Sequence, residues 1–132
     1  MSGQPVPPSG SFVWHELNSP DPARAEAFFG ALLGWTFTHK DMGELGSYTV
    51  CSQGGLEIAG MMKMEGPMWD GIPPHWMNYI AVADIEASVA KVAELGGEVC
   101  VPPFDVPDVG RMTVIKDPTG AAISLIQLAP QG

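Results

Sequence analysis

The residues able to do chemistry are few, and they cluster on what read as strands. Glu16 stands two places after Trp14, so on an extended backbone both project from one side while His15 between them projects from the other. A carboxylate enclosed beside a tryptophan loses solvation, which raises its pKa and suits it to proton transfer. That makes Glu16 the catalytic candidate; the competing reading is a rim carboxylate satisfied by water or a backbone donor. A one-residue slip of the strand would instead turn His15 inward as a metal ligand or general base. Glu57 lies on a strand between glycines and reads either as a site carboxylate or as an exposed edge residue. Arg111 precedes a strand, where a guanidinium holds an anionic group or pairs with surface acids such as Asp105 and Asp108. His39 and His75 read as solvent-facing.

Trp14, Trp69, Trp76, Met61, Met62, Met64, Met68 and Met77 form a dense set of large, adaptable side chains. Each alone reads most simply as core or interface packing; together they suit an apolar or aromatic ligand. The formal charge of -9, from 15 acidic and 6 basic residues, repels phosphate backbones and anionic membranes, so neither nucleic acid nor membrane is an expected partner. Without an apolar run long enough to span a bilayer or a signal-peptide pattern, the expected location is the cytoplasm. Cys51 and Cys100 lack metal-type spacing and read as small hydrophobes.

The elements that must position these residues repeat. After a proline-rich tail over 1–11, Phe12–Leu17 reads as a strand, and Asp21-Pro22 supplies an N-cap and a proline for the first helical turn. A helix over Ala23–Leu33 is stopped by Gly34, and strands follow at Trp35–His39, Ser47–Ser52 and Leu56–Met62. A joint over 63–75 leads to a second round. It comprises strand Trp76–Val82, helix Ile85–Leu95 capped by Asp84 and ended by Gly96-Gly97, and strands Glu98–Val101, Met112–Lys116 and Ala122–Leu128. Asp21 and Asp84 are 63 residues apart, as are Gly34 and Gly97, which supports an internal duplication. The expected fold is α+β: one domain over 12–128, with βαβββ modules 12–62 and 76–128 curling an eight-stranded mixed sheet around a shared cup, and a short tail over 129–132. Val101–Gly110, rich in proline, reads as a lid loop or a plain connection.

Trp14-His15-Glu16-Leu17 with Asp21, Phe28-Phe29-Gly30, Leu33-Gly34-Trp35 and the closing Asp117-Pro118-Thr119-Gly120 form an ordered set. It resembles the vicinal oxygen chelate (glyoxalase, bleomycin-resistance and extradiol dioxygenase) superfamily, in its metal-free glyoxalase-like branch. Enzymes of that superfamily bind a divalent metal through His, Glu or Gln on the first and last strands of each module. The resemblance puts Trp14, Asn78 and Ser124 at three of those places, with Glu57 the one plausible ligand at the fourth, so a complete metal site is not expected.

With Leu56 and Ile58 read as helix-facing, Glu57 and Met61 turn toward the cup, joined by Trp76 and Ile80. The ligand-binding set is thus Trp14, Glu57, Met61, Trp76, Asn78, Ile80, Arg111 and Ser124. The expected function is a small-molecule binding protein or a metal-independent lyase- or isomerase-type enzyme, with Asn78 and Ser124 as donors to a developing oxyanion. Two alternatives stand: bleomycin-resistance-like sequestration without chemistry, and a divalent-metal lyase or dioxygenase using His15 and Glu57. A homodimer and no cofactor are expected, with a divalent metal only in the last reading.

Overall fold

The computed structural model describes residues 8–43, 46–106 and 109–129. Asp108 and most of the N-terminal tail, including Pro5 and Pro7, lie outside these, as do residues 130–132 of the C-terminal tail. Eight strands and two α-helices occur among the described residues, in the order βαβββ twice. They divide into two compact units, one over Trp14–Met77 and one over Asn78 onward with the residues leading into the first strand. No helix among the described residues is long and apolar enough to cross a membrane.

In the first unit, strand β1 (Phe12–Ser19) leads into helix α1 (Pro22–Leu33). The Asp21 carboxylate accepts from the Arg24 N–H at 3.1 Å, and Gly34 closes the helix in the left-handed region at φ 76, its N–H donating to the Gly30 carbonyl at 3.0 Å. Both groups satisfy helix-end partners that the helix itself leaves open. Strands β2 (Thr36–Asp41), β3 (Ser47–Gln53) and β4 (Leu56–Lys63) follow, ordered β2-β3-β4-β1 with β1 and β4 parallel. Leu17, Cys51, Ala59 and Met61 form the buried cluster, and Ala25 and Phe29 of α1 pack on it with Trp35, Phe37 and Ile58.

The register then fixes both faces. Leu17 lies opposite Met61, on the α1 side, so Trp14, Glu16 and Asn18 project from the other side. Glu16 is opposite Gly60, and Asn18 is opposite Met62, itself paired with Tyr48. One irregularity matters. Cys51 pairs with Ala59 but Ser52 pairs with Glu57, so Ile58 is an extra residue in β4, a β-bulge. Ile58 and Ala59 both lie with the α1-side cluster, and Glu57 shares the face of Ser52, which is that of Glu16. Met61, expected in the cup, is instead core, 1% exposed. The uninterrupted alternation assumed from the sequence fails at the bulge.

β5 (His75–Ala81), whose first three residues fall in the first unit, leads into the second: α2 (Ile85–Val92), then β6 (Glu98–Val106), β7 (Gly110–Lys116) and β8 (Ala122–Leu128), ordered β5-β8-β7-β6. Asp84 caps α2, accepting from the Ala87 N–H at 3.1 Å, and the Gln127 side-chain oxygen accepts from Ile85 N–H at 2.9 Å. The α2 helix ends at Val92, three residues before the expected Leu95. Strand β6 is longer than expected. It runs through Pro102 and Pro103 to Val106, pairing Phe104 with Met112 and Asp105 with Arg111, so most of the expected lid segment is strand. Its register shifts flank Cys100 and the two prolines, and β6 is last in the strand order, where missing N–H donors are tolerated.

Two predictions test this packing. A methyl group on Gly60 would overlap the Tyr48 hydroxyl and ring, although the backbone of Gly60 is ordinary. Gly60→Ala should therefore cost about 1–3 kcal/mol in urea unfolding. In the Tyr48→Ala background the same substitution should cost less, a non-additivity that a double-mutant cycle reads directly. The Cys51 thiol is fully buried, and burial, with a smaller effect of Glu26, pushes its pKa up to about 11. A group raised in the folded state stabilises the fold below its unfolded pKa and loses that contribution as pH rises through the folded value. Ellman titration of the native protein at pH 8 should accordingly count only the exposed Cys100, with Cys51 reacting after denaturation.

Candidate functional site

On the face of strands β1, β3 and β4 opposite α1, one tyrosine organises the chemistry. The Trp14 indole Nε1–H donates to the Tyr48 hydroxyl at 2.9 Å. Burial, then the Glu16 charge, pushes the Tyr48 phenol well above its usual pKa, while the bond from Trp14 works in the opposite direction. The phenol thus stays neutral and hydrogen-bonds with Glu16 as well. Glu16 is 7% exposed. A carboxylate held by a neutral phenol in such a place can accept and return a proton without solvent delivering it.

Asn18, 3% exposed, is next along the same face. Its side-chain nitrogen lies 3.2 Å from His75 Nε2, while His75 Nδ1 lies 2.8 Å from the Pro73 carbonyl. A carbonyl only accepts, so Nδ1 carries the hydrogen and Nε2 accepts from the Asn18 amide. That leaves Asn18 Oδ1 buried without a hydrogen-bond partner among the described residues. His75, read from sequence as solvent-facing, is instead half-buried and sets an amide's orientation. His39 is exposed and paired with Glu26 at 2.9 Å.

His15 and Glu57, the pair named in the metal-dependent alternative, lie on opposite sides of their strands. His15 alternates with Leu17 and so lies on the α1 side, whereas the bulge turns the exposed Glu57 to the other side. Among the described residues no three His, Cys, Asp or Glu side chains converge.

In the second unit the register departs from expectation by one residue. Gln127 bonds the first turn of α2 and Arg111 bonds Glu86 on α2, which puts the odd-numbered residues of β7 and β8 on the α2 side. Ile80 pairs with Leu125 and is therefore on that side, as is Asn78 two residues earlier. Ser124, opposite Tyr79, lies on the face away from α2, buried, its hydroxyl without a partner among the described residues. Trp76 also misses the expected face. It packs edge-on against Phe29 and Trp35, at 5.7 and 6.3 Å between ring centroids, on the α1 side.

Arg111 is committed to Glu86 at 2.6 Å and Asp105 at 3.2 Å, which hold its guanidinium above its ordinary pKa. Tyr48 is the residue that sequence reading missed, and the signal for it was weak: a polar aromatic two strands away from Trp14, reaching over a glycine of the neighbouring strand.

The family model for the Glyoxalase/Bleomycin resistance protein/Dioxygenase superfamily matches residues 11–125. "Putative glyoxylase CFP32" of Mycobacterium tuberculosis is 39% identical over 123 residues, covering 93% of this chain and 46% of the relative. "Anthracycline biosynthesis protein DnrV" of Streptomyces peucetius is 36% identical over 127 residues, 88% of this chain and 46% of the relative. The chain thus spans about half the length of the curated relatives it matches. Among solved structures, methylmalonyl-CoA epimerase from Mycobacterium tuberculosis superposes with a TM-score of 0.66 at 17% identity, covering 95% of this chain and 93% of the other. A hypothetical protein from Bacillus halodurans reaches a TM-score of 0.71 at 13% identity, over 95% and 99% of the two chains. At these identities the likeness to solved structures concerns the fold, while the family model and the curated relatives place the chain in the Glyoxalase/Bleomycin resistance protein/Dioxygenase superfamily.

Proposed function

We propose that this chain takes a small apolar or aromatic ligand against the Trp14 face of strands β1, β3 and β4, and that Glu16 moves a proton on that ligand without a metal. The observation that carries the proposal is the enclosed Glu16 carboxylate, hydrogen-bonded to a phenol that also accepts from Trp14. Carboxylates are enclosed beside aromatic rings at a cost, and acid–base work is the common return for it. Isomerisation or elimination next to a carbonyl needs one such base and a surface that excludes water. A relative named for anthracycline biosynthesis supports a flat, polycyclic, carbonyl-bearing ligand as the class, with Trp14 as the stacking surface.

Sequestration without chemistry would use the same tryptophan and leave Glu16 idle. A panel of hydroxylated naphthoquinones and anthraquinones separates the two. The proposal expects saturable quenching of tryptophan fluorescence together with deuterium uptake at an acidic carbon position of the bound compound in D2O. Glu16→Gln should slow that uptake by about 100-fold or more while quenching persists. Uptake at an unchanged rate in Glu16→Gln would sink the role of Glu16, and quenching with no uptake in the wild type would favour sequestration.

A further inference from the structure

We infer a second binding site, in the joint between β4 and β5, for a small organic cation with an apolar body. A cleft of about 400 Å³ lies there, walled by Pro20, Met64, Trp69, Ile72 and Pro74, with Asp70 as its one charged residue. That volume is in the range of small-molecule sites. Its walls are set by the chain itself. A short 3-10 turn over Pro67–Trp69 presents the indole, with the Asp70 N–H donating to the Pro67 carbonyl at 3.1 Å and the Ile72 N–H to the Trp69 carbonyl at 3.0 Å. The Met64 N–H donates to the Ser19 carbonyl at 2.9 Å, fixing the wall opposite. His75, its ring 6.4 Å from that of Trp69 between centroids, backs the indole and is itself held at both ring nitrogens.

The charge pattern chooses the ligand. Asp70 has no ion-pair partner among the described residues, and the nearby Lys63 is engaged by Glu65 at 3.1 Å. A carboxylate beside an indole face is complementary to an ammonium group carried on a hydrocarbon: the ring attracts the cation through its quadrupole and the carboxylate through its charge. The net charge of -9 adds a favourable long-range field for cations and an unfavourable one for anions. Methionine, isoleucine and proline walls offer the body of such a ligand an apolar contact without competing donors. This site uses none of the residues assigned to proton transfer.

The test titrates the full chain with 2-phenylethylammonium, with 2-phenylethanol as the neutral probe of the same shape and phenylacetate as the anionic one. Binding is followed in ¹H–¹⁵N spectra in which the Trp69 indole resonance is identified by its loss in Trp69→Phe. The ammonium probe should move that resonance and the Gly66 and Gly71 amides saturably, with a Kd on the order of millimolar. Asp70→Asn should weaken it about fivefold. Glu16→Gln should leave it unchanged, which keeps this result separate from the fate of the proton-transfer proposal. Three results would overturn the site: no movement of these resonances at about 10 mM probe, equal binding of all three probes, or shifts that follow Tyr48 and vanish in Glu16→Gln.

Discussion

The hydroxyl of Tyr48 is the point on which the chemistry of the first unit turns. It accepts from an indole and bonds with a carboxylate, and it reaches that place only because Gly60, over which its ring lies, has no side chain. Each part requires the others. Without the phenol, the enclosed Glu16 carboxylate would lose a hydrogen bond in a place where water does not readily replace it. Without Trp14, the phenol would lose the donor that orients it. The sheet supplies the rest, because the β1–β4 and β3–β4 registers bring Glu16, Gly60 and Tyr48 onto one face while Leu17 and Met61 pack under α1 on the other.

The fold was legible because its signals were local and repeated. An aspartate before each helix, a glycine after each, and short runs of β-formers between glycines define both modules; both aspartates cap their helices and Gly34 closes α1, while α2 ends earlier, with Ala93 as its C-cap. The 63-residue spacing carried more than it was asked to. Glu16 plus 63 is position 79, so Tyr79, not Asn78, should share the phase of Glu16. The structure bears this out: Tyr79 pairs with Ser124 just as Glu16 pairs with Gly60, and Ile80 pairs with Leu125 as Leu17 does with Met61. The error of one residue that put Trp76, Asn78 and Ile80 on the wrong side was thus avoidable from sequence.

Other parts were not. Alternation along β4 predicts faces only while the ladder is regular, and nothing in Leu56-Glu57-Ile58-Ala59 announces a bulge, so Met61 was misplaced. The partners of Arg111 and His75 come from distant strands and turns, and sequence could name Asp105 as a partner but not Glu86. Tyr48 looked like any aromatic on a strand. Its importance depends on contacts with Trp14, 34 residues earlier, which no local pattern encodes.

The bulge at Ile58 has a wider meaning for how this sheet can diversify. Gly60 and everything beyond it in β4 are held in phase by pairing with β1, whereas the stretch before the bulge pairs only with β3. The extra residue therefore acts as a phase joint inside a single strand. Loss of Ile58 would heal the ladder and leave Glu57 opposite Ser52, with the Gly60 end still in register. Within a lineage, gain or loss of a single residue at this spot is a means of adding or removing one side chain on the α1 side while the face that carries Glu16 and Glu57 keeps its alignment.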